Sequence, residues 1–234
     1  MENESKVSIK KDGPYLVSGG LPLKKEIIVS DDQGYSVGWE KGEDFPKKES
    51  YALCRCGKSK NMPYCDGMHD KTNFNGTETA SREDYIKQAQ KIDGPNLTLT
   101  DAQELCSLGR FCHNKKGNVW GLTRGSDKSG NREEAIEQAC NCPSGRLVAW
   151  DKKTGNPIEP KLEKSISLIE DPARGASGPI WLKGGIVLEG LNSEKYEVRN
   201  RTTVCRCGKS GNKPFCDGTH ISCKFNDGDK SLQK

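Results

Sequence analysis

Two stretches of this chain set thiols and an imidazole at metal-binding intervals. From Cys205 to His220 the sequence reads Cys-Arg-Cys-Gly-Lys-Ser-Gly-Asn-Lys-Pro-Phe-Cys-Asp-Gly-Thr-His, so Cys205, Cys207, Cys216 and His220 follow the spacing C-x-C-x8-C-x3-H. In extended backbone, residues two apart share a side, and the first two thiols can therefore converge on one metal atom. Asp217-Gly218 is a turn signal that can open a helix, and one helical turn from Cys216 returns His220 beside that thiol. Soft thiolates and imidazole suit zinc and iron–sulfur chemistry alike.

The stretch occurs twice. Cys54, Cys56, Cys65 and His69 repeat the spacing, and 12 of the 16 positions between Cys54 and His69 are identical to those between Cys205 and His220. The repeat also reaches backward. Gly13 to Leu21 lines up with Gly178 to Ile186, which makes each copy a half built of short strands rather than a lone metal loop. Val7-Ser8-Ile9, Tyr15-Leu16-Val17 and Glu26 to Val29 read as strands, punctuated by Gly13-Pro14 and Gly19-Gly20. Residues 24 to 50 form a longer, charged connection than residues 189 to 201. Boundaries follow: a first half at 1–78, an insert at 79–165 and a second half at 166–234, in an α+β, mostly β chain.

Each motif resembles the pattern of the CDGSH iron–sulfur, or NEET, family. Cys54, Cys56, Ser59, Pro63, Cys65, Asp66, Gly67 and His69 fill it, as do Cys205, Cys207, Ser210, Pro214, Cys216, Asp217, Gly218 and His220. Thr219 is an allowed residue before the histidine, whereas Met68 is not the small one usual there. The resemblance implies a [2Fe–2S] cluster at each motif. The first two cysteines of each would hold an inner iron, and the third cysteine with the histidine an outer one. It also implies that the two halves intertwine under a β-cap, here as an intramolecular pseudo-dimer and hence a monomer. Ser59 and Ser210 are expected to donate toward sulfur, Asp66 and Asp217 to cap the turn before the histidine, and Lys58 and Lys209 to offset an anionic cluster. One neutral histidine in place of a thiolate eases reduction and makes the site sensitive to acid. Electron transfer or pH-sensitive cluster transfer follows, with a redox partner or an apo iron–sulfur acceptor protein on the other side. A structural zinc-binding interaction module is the competing reading.

The insert differs in character. Ser81-Arg82-Glu83-Asp84 is expected to cap a helix reaching about Lys91, Thr100 to Gln103 a second ending near Cys106, and Asn131 with Glu134 a third running to Cys140. Its Cys106, Cys112, Cys140 and Cys142, the last followed by Pro143, resemble the divergent single-cluster ferredoxins. That implies Cys106, Cys112 and Cys142 as ligands of a [3Fe–4S] or [4Fe–4S] cluster, with Cys140 or His113 as a fourth. Buried thiols or a redox disulfide remain the alternative. Cys223, which has no counterpart in the first half, reads as a small, partly buried thiol. The four tryptophans, Trp39, Trp120, Trp150 and Trp181, read as core or interface residues.

Composition narrows the class. Of 234 residues, 32% are hydrophobic and 30% charged, so the core is modest and bound clusters should help to hold the fold. The net charge of +4 is small and scattered, which argues against nucleic-acid binding. Eleven cysteines, mostly at metal-ligand spacing, suit a reducing compartment. The N-terminus has neither the apolar run of a secretory signal nor the acid-free, arginine-rich look of a transit peptide, and nothing resembles a membrane anchor. A cytoplasmic protein is expected. No G-x-G-x-x-G, P-loop or nucleophile elbow suggests an enzyme.

Overall fold

The computed structural model describes residues 5–233. The first half contributes β1 (Lys6–Ile9), β2 (Tyr15–Ser18), β3 (Leu23–Ser30), β4 (Ser36–Asp44), β5 (Ser50–Leu53) and the single turn α1 (Met68–Lys71). The insert follows with α2 (Tyr85–Gln88), β6 (Gln90–Asp93), β7 (Leu97–Asp101), β8 (His113–Asn114), β9 (Gly117–Asn118), α3 (Val119–Arg124), α4 (Asn131–Asn141), β10 (Leu147–Asp151) and β11 (Pro157–Ile158). The second half contains β12 (Ser165–Asp171), β13 (Ala176–Lys183), β14 (Val187–Glu189), β15 (Arg201–Val204) and the turn α5 (Thr219–Ser222). Sheet dominates and the helices are short, as the α+β, mostly β reading requires.

Each half lends sheet to the other: the second half gives β14, and the first gives β3 with β4 beside it. The first sheet runs β14-β1-β2-β5 and the second β15-β13-β12-β3-β4, so β14 joins the first half's sheet and β3 the second's. The exchange keeps one register: Val7 faces Leu188 as Ile166 faces Leu23, both in parallel pairs. Tyr15 faces Leu53 as Ile180 faces Val204, in antiparallel pairs. Alternating side chains then meet in one shared core. Val7, Ile9, Tyr15, Val17, Leu21, Leu23 and Leu53 pack there against Ile166, Leu168, Ile180, Leu182, Ile186, Leu188, Tyr196 and Val204. Neither half closes a core alone, which accounts for a fold built on so few apolar residues.

The insert forms its own sheet, β11-β10-β7-β6, backed by α3 and α4 through Leu97, Leu99, Val119, Leu122, Ala135, Ala139 and Leu147. It lies against the five-stranded sheet, touching both the second half and the β3–β4 arm of the first. Arg201 of β15, 1% exposed, donates to the carbonyls of Ala139 (2.5 Å), Cys140 (3.2 Å) and Cys142 (2.8 Å) and pairs with Glu159 at 2.7 Å. A cation thus closes the carboxyl end of α4, where orphan carbonyls need donors. Trp39, Phe111 and Trp181 cover the outer face of the five-stranded sheet, with ring centroids 4.8 and 4.9 Å apart.

Two helices expected in the insert do not form as such. Only Tyr85–Gln88 is helical in the 81–91 stretch, because Gln90–Asp93 pairs with β7 instead. Thr100 does not cap a helix: it lies in a strand whose five residues are all buried, and its Oγ1 meets Tyr85 Oη and Trp150 Nε1, each at 2.8 Å. Only a 3-10 turn, Gln103–Leu105, follows it. The third expectation holds, with α4 spanning Asn131–Asn141.

Candidate metal centres

Each motif begins where a strand ends and doubles back on it. Cys54 N donates to Pro63 O at 2.8 Å and Cys65 N to Ala52 O at 2.9 Å; Cys205 N to Pro214 O at 2.8 Å and Cys216 N to Thr203 O at 3.0 Å repeat the arrangement. The peptide bonds before Pro63 and Pro214 are cis. This return brings the third cysteine beside the first two. The aspartate then ties the loop's arms. Asp66 accepts from Lys60 N at 2.8 Å and from Met68 N at 3.1 Å, and Asp217 from Gly211 N at 2.7 Å and Thr219 N at 3.0 Å. These carboxylates start the single turn carrying the histidine, as the sequence suggested. Ser59 and Ser210 act differently from the expectation: their hydroxyls donate to Tyr64 O at 2.6 Å and Phe215 O at 2.7 Å, bracing the loop rather than a sulfur. Short loop carbonyls are nearer to them than any thiol.

The donors group two and two. Cys54 Sγ lies 3.7 Å from Cys56 Sγ, and Cys65 Sγ 3.3 Å from His69 Nδ1. In the second motif Cys205 and Cys207 are 3.8 Å apart, and Cys216 is 3.3 Å from His220 Nδ1. Two thiolates on one tetrahedral metal at the usual bond length of about 2.3 Å stand about 3.8 Å apart, and a thiolate–imidazole pair about 3.6 Å. Each pair therefore matches two ligands sharing one metal atom. Among the described residues, no three His, Cys, Asp or Glu side chains gather closely enough to hold a single ion.

Burial disfavours the thiolate form of Cys56, Cys65 and Cys216. Burial, then the neighbouring Cys54 thiol, pushes Cys56 up to about 11. The Cys205–Cys207 pair titrates as a unit: the bond between the sulfurs favours a thiolate at Cys205, and that bond with burial drives Cys207 far upward. Burial, then Cys205, also raises Cys216, and Cys106 of the insert adds to the effect. Burial holds the His220 imidazole neutral, its pKa pulled down to about 4, which is the form that binds a metal. Backbone N–H groups point at the sulfurs, as Gly218 N does at Cys216 Sγ across 3.4 Å.

Between the motifs the backbones touch. A side-chain carbon on Gly57 would lie 2.5 Å from Cys207 O, and one on Gly208 would strike Cys56 O; both glycines have positive φ, +70° and +76°. Glycine is required for that approach. Tyr15 Oη, 3.0 Å from Cys205 O and 3.2 Å from Pro214 O, is a second link from one half to the other half's motif. Lys58 and Lys209 are exposed and line a cleft of ≈ 420 Å³ running between the two loops.

Arginines inside the motifs, which sequence reasoning passed over, are among the most buried side chains. Arg206 donates to Gly178 O at 2.9 Å and pairs with Glu170 at 2.8 Å and Asp227 at 2.5 Å. Arg55 donates to Gly76 O, lies over the Tyr15 and Phe74 rings, and finds no hydrogen-bond partner for Nε and Nη1 among the described residues. Their signal was the identity of Cys-Arg-Cys in both copies.

In the insert, Cys106, Cys112 and Cys142 line one small cavity with Arg146. Burial, then Cys142, raises Cys112 to about 11. Cys140 is not with them; its Sγ faces Ile158 O at 3.6 Å. His113 also stands apart, stacked on Tyr35 with centroids 5.4 Å apart. Cys140 lies in the last turn of α4, whereas Cys142 caps its end. Cys223 is exposed rather than partly buried.

Comparison with known families agrees with this geometry. A family described as iron-binding zinc finger, CDGSH type, matches residues 12–70 and 177–221, and one described as divergent 4Fe-4S mono-cluster matches residues 92–152. No match was found among curated proteins or among solved structures. Among the described residues no helix is long and apolar enough to cross a membrane. Both Cys-His motifs fall inside the first family's segments and all four insert cysteines inside the second's, so the chain is an iron–sulfur protein with two CDGSH-type iron-binding segments and a divergent 4Fe-4S mono-cluster segment between them.

Proposed function

We propose that each CDGSH motif holds one [2Fe–2S] cluster through three thiolates and one imidazole, and that the chain carries electrons or clusters for a partner protein without a substrate of its own. The observation that carries the reading is the pairing of donors. Cys54 with Cys56, and Cys65 with His69, stand at the separations of two ligands on one metal, as do their counterparts. Two such pairs suit two irons; a lone structural zinc would draw all four donors to one point. The bound cluster supplies one-electron chemistry at a potential raised by the neutral ligand. The chain positions the donors, aims backbone N–H groups at the sulfurs, and keeps the His220 imidazole neutral by burial.

The exchanged strands and shared core support an intramolecular pseudo-dimer, with monomer as its natural state. The cavity lined by Cys106, Cys112 and Cys142 supports a third, [3Fe–4S] or [4Fe–4S], cluster held by three chain thiolates. A redox partner or an apo iron–sulfur acceptor in a reducing compartment such as the cytoplasm fits the thiol content. Iron, zinc and acid-labile sulfide are to be measured on protein purified without air, with paramagnetic resonance of the dithionite-reduced sample. Two [2Fe–2S] clusters account for four irons and four sulfides per chain. Colourless protein rich in zinc and free of labile sulfide would refute the proposal.

A further inference from the structure

The two CDGSH sites share ligands and loop geometry but not surroundings. Nothing lies within 4 Å of where a side chain on Gly67 would begin, whereas the equivalent point on Gly218 is occupied by the Leu108 side chain. Cys65 and His69 are only partly buried; Cys216 and His220 are 2% and 3% exposed. The cover is the insert's loop from Cys106 to Cys112, and it is pinned at several points around the site. Asn212 Nδ2, within the second motif, donates to Glu104 O at 2.8 Å. Arg110 reaches both carboxylate oxygens of Asp171 at 2.8 Å. Phe111 stacks on Trp39. Leu108 itself has φ +55° and is 42% exposed on its outer side, an apolar side chain held over the site at some backbone cost.

We infer that the insert seals the second CDGSH site, so that ligand exchange with a thiol-bearing acceptor runs through the first site alone. The inference rests on the reading above that both motifs hold clusters. Exchange at the first site needs no oxidant or reductant: the Cys65 thiolate and His69 Nδ1 leave iron, two acceptor thiols bind in their places as thiolates, and the two protons those thiols release pass to the freed thiolate and imidazole. At the second site the same two donors sit under Leu108 and cannot be reached until the loop lifts. The tandem chain then has one exchangeable site and one retained site, the latter facing the insert's thiols.

The test follows cluster loss from the intact, cluster-loaded chain by visible absorbance at neutral pH after adding excess EDTA. Two phases are expected for the CDGSH sites, the fast one absent in Cys65→Ser and the slow one absent in Cys216→Ser; an insert cluster adds a phase that Cys142→Ser removes. Leu108→Gly should speed the slow phase by at least about tenfold, equivalent to about 1.4 kcal/mol, and leave the fast phase unchanged. Leu108→Asn, which tolerates the left-handed backbone while removing the apolar cover, should do the same. One common rate for both sites, a slow phase that disappears in Cys65→Ser, or equal acceleration of both phases by the two Leu108 variants would overturn the seal. Absence of labile sulfide would instead overturn the cluster reading, and the seal would then be judged on zinc removal from the same variants.

Discussion

Replacing Gly57 by alanine tests whether the two halves are one structure. Gly57 has φ +70°, and its missing side-chain carbon would fall 2.5 Å from Cys207 O, a backbone atom of the other half's motif. The left-handed conformation alone costs a non-glycine residue about 1–2 kcal/mol. Relieving the overlap means moving one motif's backbone by several tenths of an ångström against a close-packed neighbour, worth about 1–3 kcal/mol more. The total, about 2–5 kcal/mol, is a large share of the stability of an ordinary domain. At this chain length it corresponds to a melting point lower by about 5–15 °C. The strain lands on Cys207 as much as on Cys56, so the clusters proposed at the two CDGSH motifs should be lost together on heating, followed by visible circular dichroism. Gly208→Ala should behave alike, and the double variant should cost less than the sum, because one separation of the motifs relieves both overlaps. A melting point within a degree or two of the parent, or loss of the first cluster with the second intact, would refute the reasoning and leave the halves independent.

Two further outcomes follow from the buried charges and the insert. Burial, with the Asp227 charge adding to it, lifts Glu170 to about 7 although Arg206 pulls it down. A folded-state value above the unfolded 4.5 means that the folded chain keeps a proton the unfolded chain has lost, so stability falls as pH rises from about 4.5 through 7, by up to about 3 kcal/mol. Glu170→Gln should flatten that slope in melting points taken at pH 5.5 and 8; an equal slope in both proteins would count against it. In the insert, Cys142→Ser should lower the iron content per chain while Cys140→Ser leaves it unchanged, since only Cys142 shares the cavity with Cys106 and Cys112. Equal loss from both variants would argue against a three-thiol site.

The fold of the two motif loops was readable because its determinants are local. Ligand spacing, the proline ahead of Cys65 and Cys216, and the Asp-Gly turn lie within sixteen residues and act within that span. The strands around Val7, Tyr15 and Ile27 were readable for the same reason, as short runs punctuated by Gly13-Pro14 and Gly19-Gly20. What escaped was decided by distant partners. Gln90–Asp93 became a strand because β7 offered an edge, and Thr100 left its capping role because Tyr85 and Trp150 reached its hydroxyl from other elements. The hydroxyls of Ser59 and Ser210 were mis-aimed by analogy with sulfur donors when a loop carbonyl stood closer.

The exchange of β3 and β14 was beyond local reasoning altogether, since each strand's partner is about 140 or more residues away in the chain. Yet it explains a feature of the sequence that composition alone left puzzling. A half with seven or eight core residues cannot close on itself, and duplication without exchange would have given two weak domains. Exchange also makes the insert's position consequential. Placed between two symmetric halves, it packs on the five-stranded sheet, which β3 and β4 of the first half help to build, and covers only the second motif, with Arg201 holding the end of α4 and Leu108 resting on Gly218, so breaking their equivalence. Duplication supplies two equal sites; the insert is what makes them unequal. The physical difference is concentrated in one contact, present at Gly218 and missing at Gly67, while the loops that bear the ligands remain nearly superposable in their hydrogen bonds.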